Sequence, residues 1–136
     1  MNPKELVCKE NHRVFRLYTN GVAFSKDKLD DGQDSERKKC DYLITKDTKD
    51  IQIFVELKGN QIANAFRQIL TSYENKECIE NLQIKYYAAI VCSRFPQRDT
   101  TIQHLQRKAN KIFEDIFIKN NEIQTRYENN AIVRVN

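Results

Sequence analysis

Three Glu-x-Lys triplets occur in the chain, Glu36-Arg37-Lys38, Glu56-Leu57-Lys58 and Glu74-Asn75-Lys76. Such a triplet does chemistry only where the backbone holds both side chains on one face. The first lies in a polar stretch and the third where a helical pattern fades. The middle one ends the run Ile51 to Leu57, in which Ile51, Ile53, Val55 and Leu57 alternate with Gln52, Phe54 and Glu56, the period of a strand. Side chains two apart on a strand share a face, so Glu56 and Lys58 point together. Burying a carboxylate and an ammonium is costly, and catalysis is a reason to do so. Asp41 lies on the preceding predicted strand, and antiparallel pairing across Lys46 to Asp50 would bring its carboxylate beside that of Glu56. Two such carboxylates repel each other unless a divalent cation sits between them. Magnesium, a hard ion, would take Asp41, Glu56, the Leu57 carbonyl and waters, leaving positions for a phosphate.

The elements that must position these groups follow from periodicity. Arg13 to Tyr18 and Val22 to Ser25 are β-prone runs separated by Thr19-Asn20-Gly21, and Asn-Gly predicts a hairpin because both residues tolerate positive φ. Lys26 to Lys39 is almost wholly polar and reads as a loop. Cys40 to Thr45 reads as a strand, Lys46 to Asp50 as a connection, and Ile51 to Leu57 as its antiparallel partner. From Gln61, the residues Ile62, Phe66, Ile69, Leu70 and Tyr73 recur at helical spacing until about Asn75. Tyr86 to Cys92 is an apolar run suited to a strand buried on both faces. After Pro96, Ile102, Leu105, Ala109, Ile112, Phe113 and Ile116 mark a second helical face, and Ala131 to Val135 closes as a strand. The alternation in the second half implies a crossover helix with parallel pairing, so the expected fold class is α/β, a mixed central sheet flanked by helices.

With 136 residues, 40% hydrophobic and 31% charged, the composition is that of one folded domain spanning 1–136. No apolar run is long enough to cross a membrane, and the N-terminus lacks an apolar leader stretch, so the expected compartment is the cytoplasm. Cys8, Cys40, Cys78 and Cys92 form no CxxC pair and lie apart from His12 and His104, which argues against zinc. Reduced thiols acting as small hydrophobes are expected, with Cys40 and Cys92 inside apolar segments. His104 falls opposite the apolar side of its helix, and Tyr73, Tyr86, Tyr87, Phe95 and Phe113 read as packing. The net charge of +4 suits a polyanionic partner. Arg37, Lys38 and Lys39 immediately precede Asp41, and Arg94 leads a second group with Arg98, Arg107, Lys108 and Lys111. Arg37, Lys38, Lys39 and Arg94 are the candidate nucleic-acid contacts.

The segments Cys40-Asp41-Tyr42-Leu43-Ile44 and Phe54-Val55-Glu56-Leu57-Lys58-Gly59 resemble the PD-(D/E)xK nuclease superfamily, whose signature is an Asp, a hairpin-sized gap and Glu-x-Lys on the next strand. Cys40 stands where the motif's name has Pro. The strand, strand, helix, strand order from Cys40 to Cys92 also follows the family's restriction endonuclease-like core. The resemblance implies metal binding by Asp41 and Glu56 and a Lys58 that positions or activates the attacking water. It further implies a Mg²⁺- or Mn²⁺-dependent phosphodiesterase acting on DNA, as an endonuclease rather than an exonuclease. Gln68 lies roughly where some branches carry a glutamine that orders the site, although its spacing to Tyr73 is one residue longer than their Gln-x-x-x-Tyr. Other branches add an acidic residue from an N-terminal helix, for which Glu5 and Glu10 are the candidates here. With little chain outside the core, a homodimer would double the binding surface. The alternative is an inactive nucleic-acid-binding or scaffold protein on the same fold, against which the intact Asp41, Glu56 and Lys58 set argues.

Overall fold

A computed structural model describes residues 4–29, 39–59, 61–76, 82–93 and 99–136, with Lys58 described through its backbone alone. In chain order the elements are β1 (Glu5–Glu10), β2 (Arg13–Tyr18), β3 (Phe24–Lys28), β4 (Tyr42–Lys46), β5 (Ile51–Gly59), α1 (Ile62–Glu74), β6 (Lys85–Cys92), α2 (Thr100–Asn110), β7 (Asp115–Asn120), β8 (Glu122–Glu128) and β9 (Ala131–Arg134). They form two sheets, a central one of order β3-β4-β5-β6-β7 and a second of order β1-β2-β8-β9. In the central sheet β3, β4 and β5 pair antiparallel, while β5, β6 and β7 pair parallel.

The period of β5 builds the layers. Ile51, Ile53, Val55 and Leu57 point to one face and pack with Phe15, Leu17, Ile123 and Ile132 of the second sheet. Phe54 points to the other face and packs with Ile62, Phe66, Ile69 and Phe113. β6 repeats the division, with Tyr87, Ala89 and Val91 toward the second sheet and Ala88, Ile90 and Cys92 toward the helices. That explains its unbroken apolar sequence. α1 buries Ile62, Ala65, Phe66, Ile69 and Leu70, the i, i+3, i+4, i+7 stripe of a helix lying on a sheet. α2 starts where the Asp99 side chain accepts the Ile102 N–H at 2.7 Å, an N-cap that satisfies one orphan donor.

The mixed α/β class and parallel crossovers agree with the expectation, with one correction. Both helices lie on one face of the central sheet, and the opposite face is covered by the four-stranded sheet rather than by helices. Two local expectations change with it. Asn20 and Gly21 do take positive φ (53° and 81°), but the turn carries the chain from one sheet to the other. β2 pairs with β1 and β8, and β3 with β4. Turn chemistry sets local geometry, whereas Phe15 and Leu17 choose the partner by burying against the central sheet. The helical face expected to reach Ile116 stops at Asn110, and Ile116 stands on β7. In β7, Phe117 faces the second sheet while Ile116 and Ile118 face the helices, so the apolar residues follow a strand's period. Among the described residues, no helix is long and apolar enough to cross a membrane.

Candidate active site

Asp41 and Glu56 both lie near the carboxyl end of β5, where the Asp41 carboxylate accepts from Leu57 N–H. β4 and β5 pair with Tyr42 opposite Val55, the residues next to them. Both are buried, at 2% and 1% exposure. Asp41 precedes β4 at a bend, where its carboxylate continues the ladder in place of a backbone carbonyl. Its Oδ2 accepts the Leu57 N–H at 2.7 Å. A carboxylate accepting a buried backbone donor makes a strong, charge-assisted bond and is fixed in orientation by it.

Two further bonds hold the backbone beneath this carboxylate. The Leu29 N–H, just beyond β3, donates to the Asp41 carbonyl at 2.9 Å. The Cys40 N–H donates to Ser72 Oγ on α1 at 2.8 Å, and that hydroxyl donates to the Gln68 carbonyl at 2.9 Å. Asp41 is therefore clamped between β3, β5 and α1. Ser72 was not among the expected site residues. Its signal was a polar side chain on the apolar stripe of α1, since a buried hydroxyl must find partners. Gln68 enters this chain through its main-chain carbonyl, and its side chain is half-buried.

Electrostatics place both acids around Cys40. Burial pushes its thiol up to about 12, the Ser72 hydrogen bond opposes this, and the charges of Glu56 and Asp41 add to the rise. Burial likewise pushes Cys8 up to about 12, with Lys26 lowering it and Asp41 raising it. Thiols whose usual value is 9.0 stay protonated and inert well into the alkaline range. Iodoacetamide at pH 8 is expected to leave Cys8 and Cys40 unmodified in the folded protein and to alkylate both in denaturant, read by peptide mass spectrometry. Because the folded values lie above the unfolded one, these thiols favour the folded state below pH 9. Their contribution is lost as pH climbs from about 9 toward 12. Fast native labelling at either position would contradict this burial.

The other expected site residues divide by place. Lys58 lies on β5, two positions beyond Glu56, and its side chain, with Arg37, Lys38 and Arg94, lies outside the described residues. Lys39 is half-buried. Glu5 is excluded from the site, because it points away from the central sheet and pairs with Arg16 at 3.1 Å. Glu10 has the parity of Leu6 and Cys8, which face the central sheet, and it comes from a strand rather than a helix. Tyr73, Tyr86 and Phe113 surround Phe54 as edge-on or tilted rings, Tyr87 stacks on Phe117, and His104 is exposed. Phe95 lies outside the described residues.

Magnesium uses one or two carboxylates and keeps several waters, whereas zinc favours four nitrogen and sulfur ligands. Two buried carboxylates, Asp41 just before β4 and Glu56 on β5, fit the first donor set. Compared with known proteins, the chain matches no family model, no curated protein and no solved structure.

Proposed function

We propose that the chain is a metal-dependent nuclease of the PD-(D/E)xK type that hydrolyses phosphodiester bonds in DNA. The observation that carries the proposal is the burial of two carboxylates at the carboxyl end of the strand that bears Glu-x-Lys, Glu56 on the strand itself and Asp41 bonded to the N–H of the next residue, Leu57. The order β4, β5, α1, β6 supports it, since the restriction endonuclease-like core has the same sequence of elements. Asp41 and Glu56 would hold Mg²⁺ or Mn²⁺, with the Leu57 carbonyl as a third oxygen. The ion would neutralise charge developing on the phosphate and increase the acidity of bound water. Lys58, two positions beyond Glu56 on β5, would orient the water that attacks phosphorus as the ester P–O bond breaks. The bonds through Leu57 N–H and Ser72 hold Asp41 in advance of binding, which lowers the cost of reorganising it.

The hydrogen bond from Leu57 to Asp41 also serves an inactive binding protein, because it closes the β4–β5 ladder with or without a metal. That role gives no reason for a second buried acid at Glu56, which is why the enzymatic reading is preferred. The test is a panel of linear, nicked, branched and single-stranded DNA plus RNA, incubated with Mg²⁺ or Mn²⁺ against EDTA. Metal-dependent cutting of a DNA substrate is expected. Binding without any cutting would establish the inactive alternative, and absence of both would reject the nucleic-acid reading altogether.

A further inference from the structure

Parallel strands β5, β6 and β7 end at one edge of the central sheet, the edge that carries Glu56, and open α/β sheets receive ligands at that edge. Two buried carboxylates make it unwelcoming to a polyanion, so a nearby cation is required to receive a phosphate. The second sheet supplies one. Arg13 opens β2 and shares the parity of Phe15 and Leu17, which are buried against the central sheet. On a strand that parity turns Arg13 toward the same layer.

Backbone bonds fix its position along the layer. The Val14 N–H donates to the Asn121 carbonyl at 2.8 Å, and the Asn121 N–H donates to the Cys92 carbonyl at 3.3 Å. Cys92 is the last residue of β6 and pairs with Gly59, the neighbour of Lys58. Arg13 therefore stands at the carboxyl end of β6 on the side of the second sheet, while Glu56, with the parity of Phe54, lies on the helix side of the neighbouring β5. Burial is the main influence on the Cys92 thiol and raises it, while the Arg13 charge pulls the other way. The Arg13 Nε is shut off from solvent while the residue as a whole is only half-buried. Glu10 faces Arg13 across the β1–β2 ladder, and five N–H donors in a planar fork can serve a carboxylate and still grip a phosphate.

Resting on the nuclease reading, we propose that Arg13 binds a backbone phosphate of the nucleic acid where the substrate crosses the carboxyl edge of the central sheet on the side of the second sheet, with the scissile phosphate held at Glu56. The second sheet is then part of the substrate surface and not merely a cover for the core. The experiment measures anisotropy of a fluorescein-labelled DNA duplex in EDTA across a salt series, so that binding is read without cleavage. Arg13→Gln is expected to weaken binding about tenfold at low salt and to reduce the slope of log affinity against log salt by about one. Arg13→Lys keeps the charge but not the fork, so it should restore the slope while leaving affinity a fewfold lower. Melting temperatures of both variants should stay within a few degrees of wild type. A wild-type slope in folded Arg13→Gln overturns the inference, and so does an affinity loss that appears only with a lowered melting temperature. Should Arg13→Gln fail to fold, wild-type affinity in Arg13→Lys overturns it. If Arg13 proves irrelevant while Glu56→Gln abolishes metal-dependent cutting, the inference falls and the nuclease reading stands. If no DNA is bound or cut, both fall.

Discussion

Glu56→Gln is expected to lower cleavage about a thousandfold, because metal stabilisation of a developing phosphate charge supplies several kcal/mol and each 1.4 kcal/mol is a factor of ten. The substitution keeps the shape of a side chain that is 1% exposed, so the loss would not come from a cavity. Stability gives a second, independent readout. A metal that binds only the folded state at ten times its Kd adds about 1.4 kcal/mol, which raises the melting temperature by about 5 °C in a domain of this size. Wild type should show that rise when Mg²⁺ is added to metal-free protein, and Glu56→Gln should not. Lys58→Met serves as the contrast. It keeps the apolar stem and removes the ammonium, so it should stop cutting while the Mg²⁺-induced rise and DNA binding survive. Equal melting shifts in wild type and Glu56→Gln would remove Glu56 from the metal site, and undiminished cutting by Lys58→Met would remove Lys58 from the mechanism.

The parts of the fold that were legible in the sequence are those whose burial is regular. β5, α1 and β6 read correctly because their apolar residues repeat at the period of their own secondary structure and fill both faces of the central sheet. Of the second sheet, β2 and β9 were legible as strands, while β1 and β8 were hidden because they mix polar residues into their runs. In β8 the inward residues are Ile123 and Thr125, the latter fully buried with its hydroxyl donating to the Arg16 carbonyl at 2.9 Å. A buried threonine does not register in an apolar count. Strand pairing is less legible still, since the Asn20-Gly21 turn formed as its chemistry requires and yet joined two different sheets.

The candidate site shows the same division. Asp41 and Glu56 were expected together because a hairpin-sized gap fixes their register, and the observed pairing runs to Tyr42 and Val55, the residues next to them. What the spacing could not show is how Asp41 is held. Leu57 was expected to matter through its carbonyl, whereas the observed contact uses its N–H. The Ser72 hydroxyl depends on α1 lying across the residue before Asp41, a long-range contact that no local pattern encodes. Arg13 gains meaning only once the second sheet exists, because nothing within ten residues of it in sequence belongs to the site.

Phe54→Ala is expected to be the most damaging single change to stability, at about 3–5 kcal/mol. The ring is fully buried between the helices and β5, with Tyr73, Phe113 and Tyr86 centred 6.3, 6.1 and 6.5 Å away. Truncation would remove the transfer energy of a whole phenyl group and leave a hole that three large, mutually packed rings cannot readily fill. It would also remove ring contacts worth about 0.5–1.5 kcal/mol each beyond their buried area. At about 4 °C per kcal/mol, the melting temperature should fall by about 12–20 °C. Phe54→Leu should cost less, because it retains apolar volume. Val135→Ala, at a position 46% exposed, should change stability by less than about 0.5 kcal/mol. Phe54 also lies two residues before Glu56 on the same face of β5, so its cavity opens directly beneath the acid. The truncated protein should therefore bind Mg²⁺ more weakly than wild type even at temperatures well below its own transition, where most molecules remain folded. A loss under 1 kcal/mol would mean that the aromatic cluster does not anchor the helical layer. A large loss with the Mg²⁺ response intact would mean that β5 holds Glu56 independently of the packing beneath it.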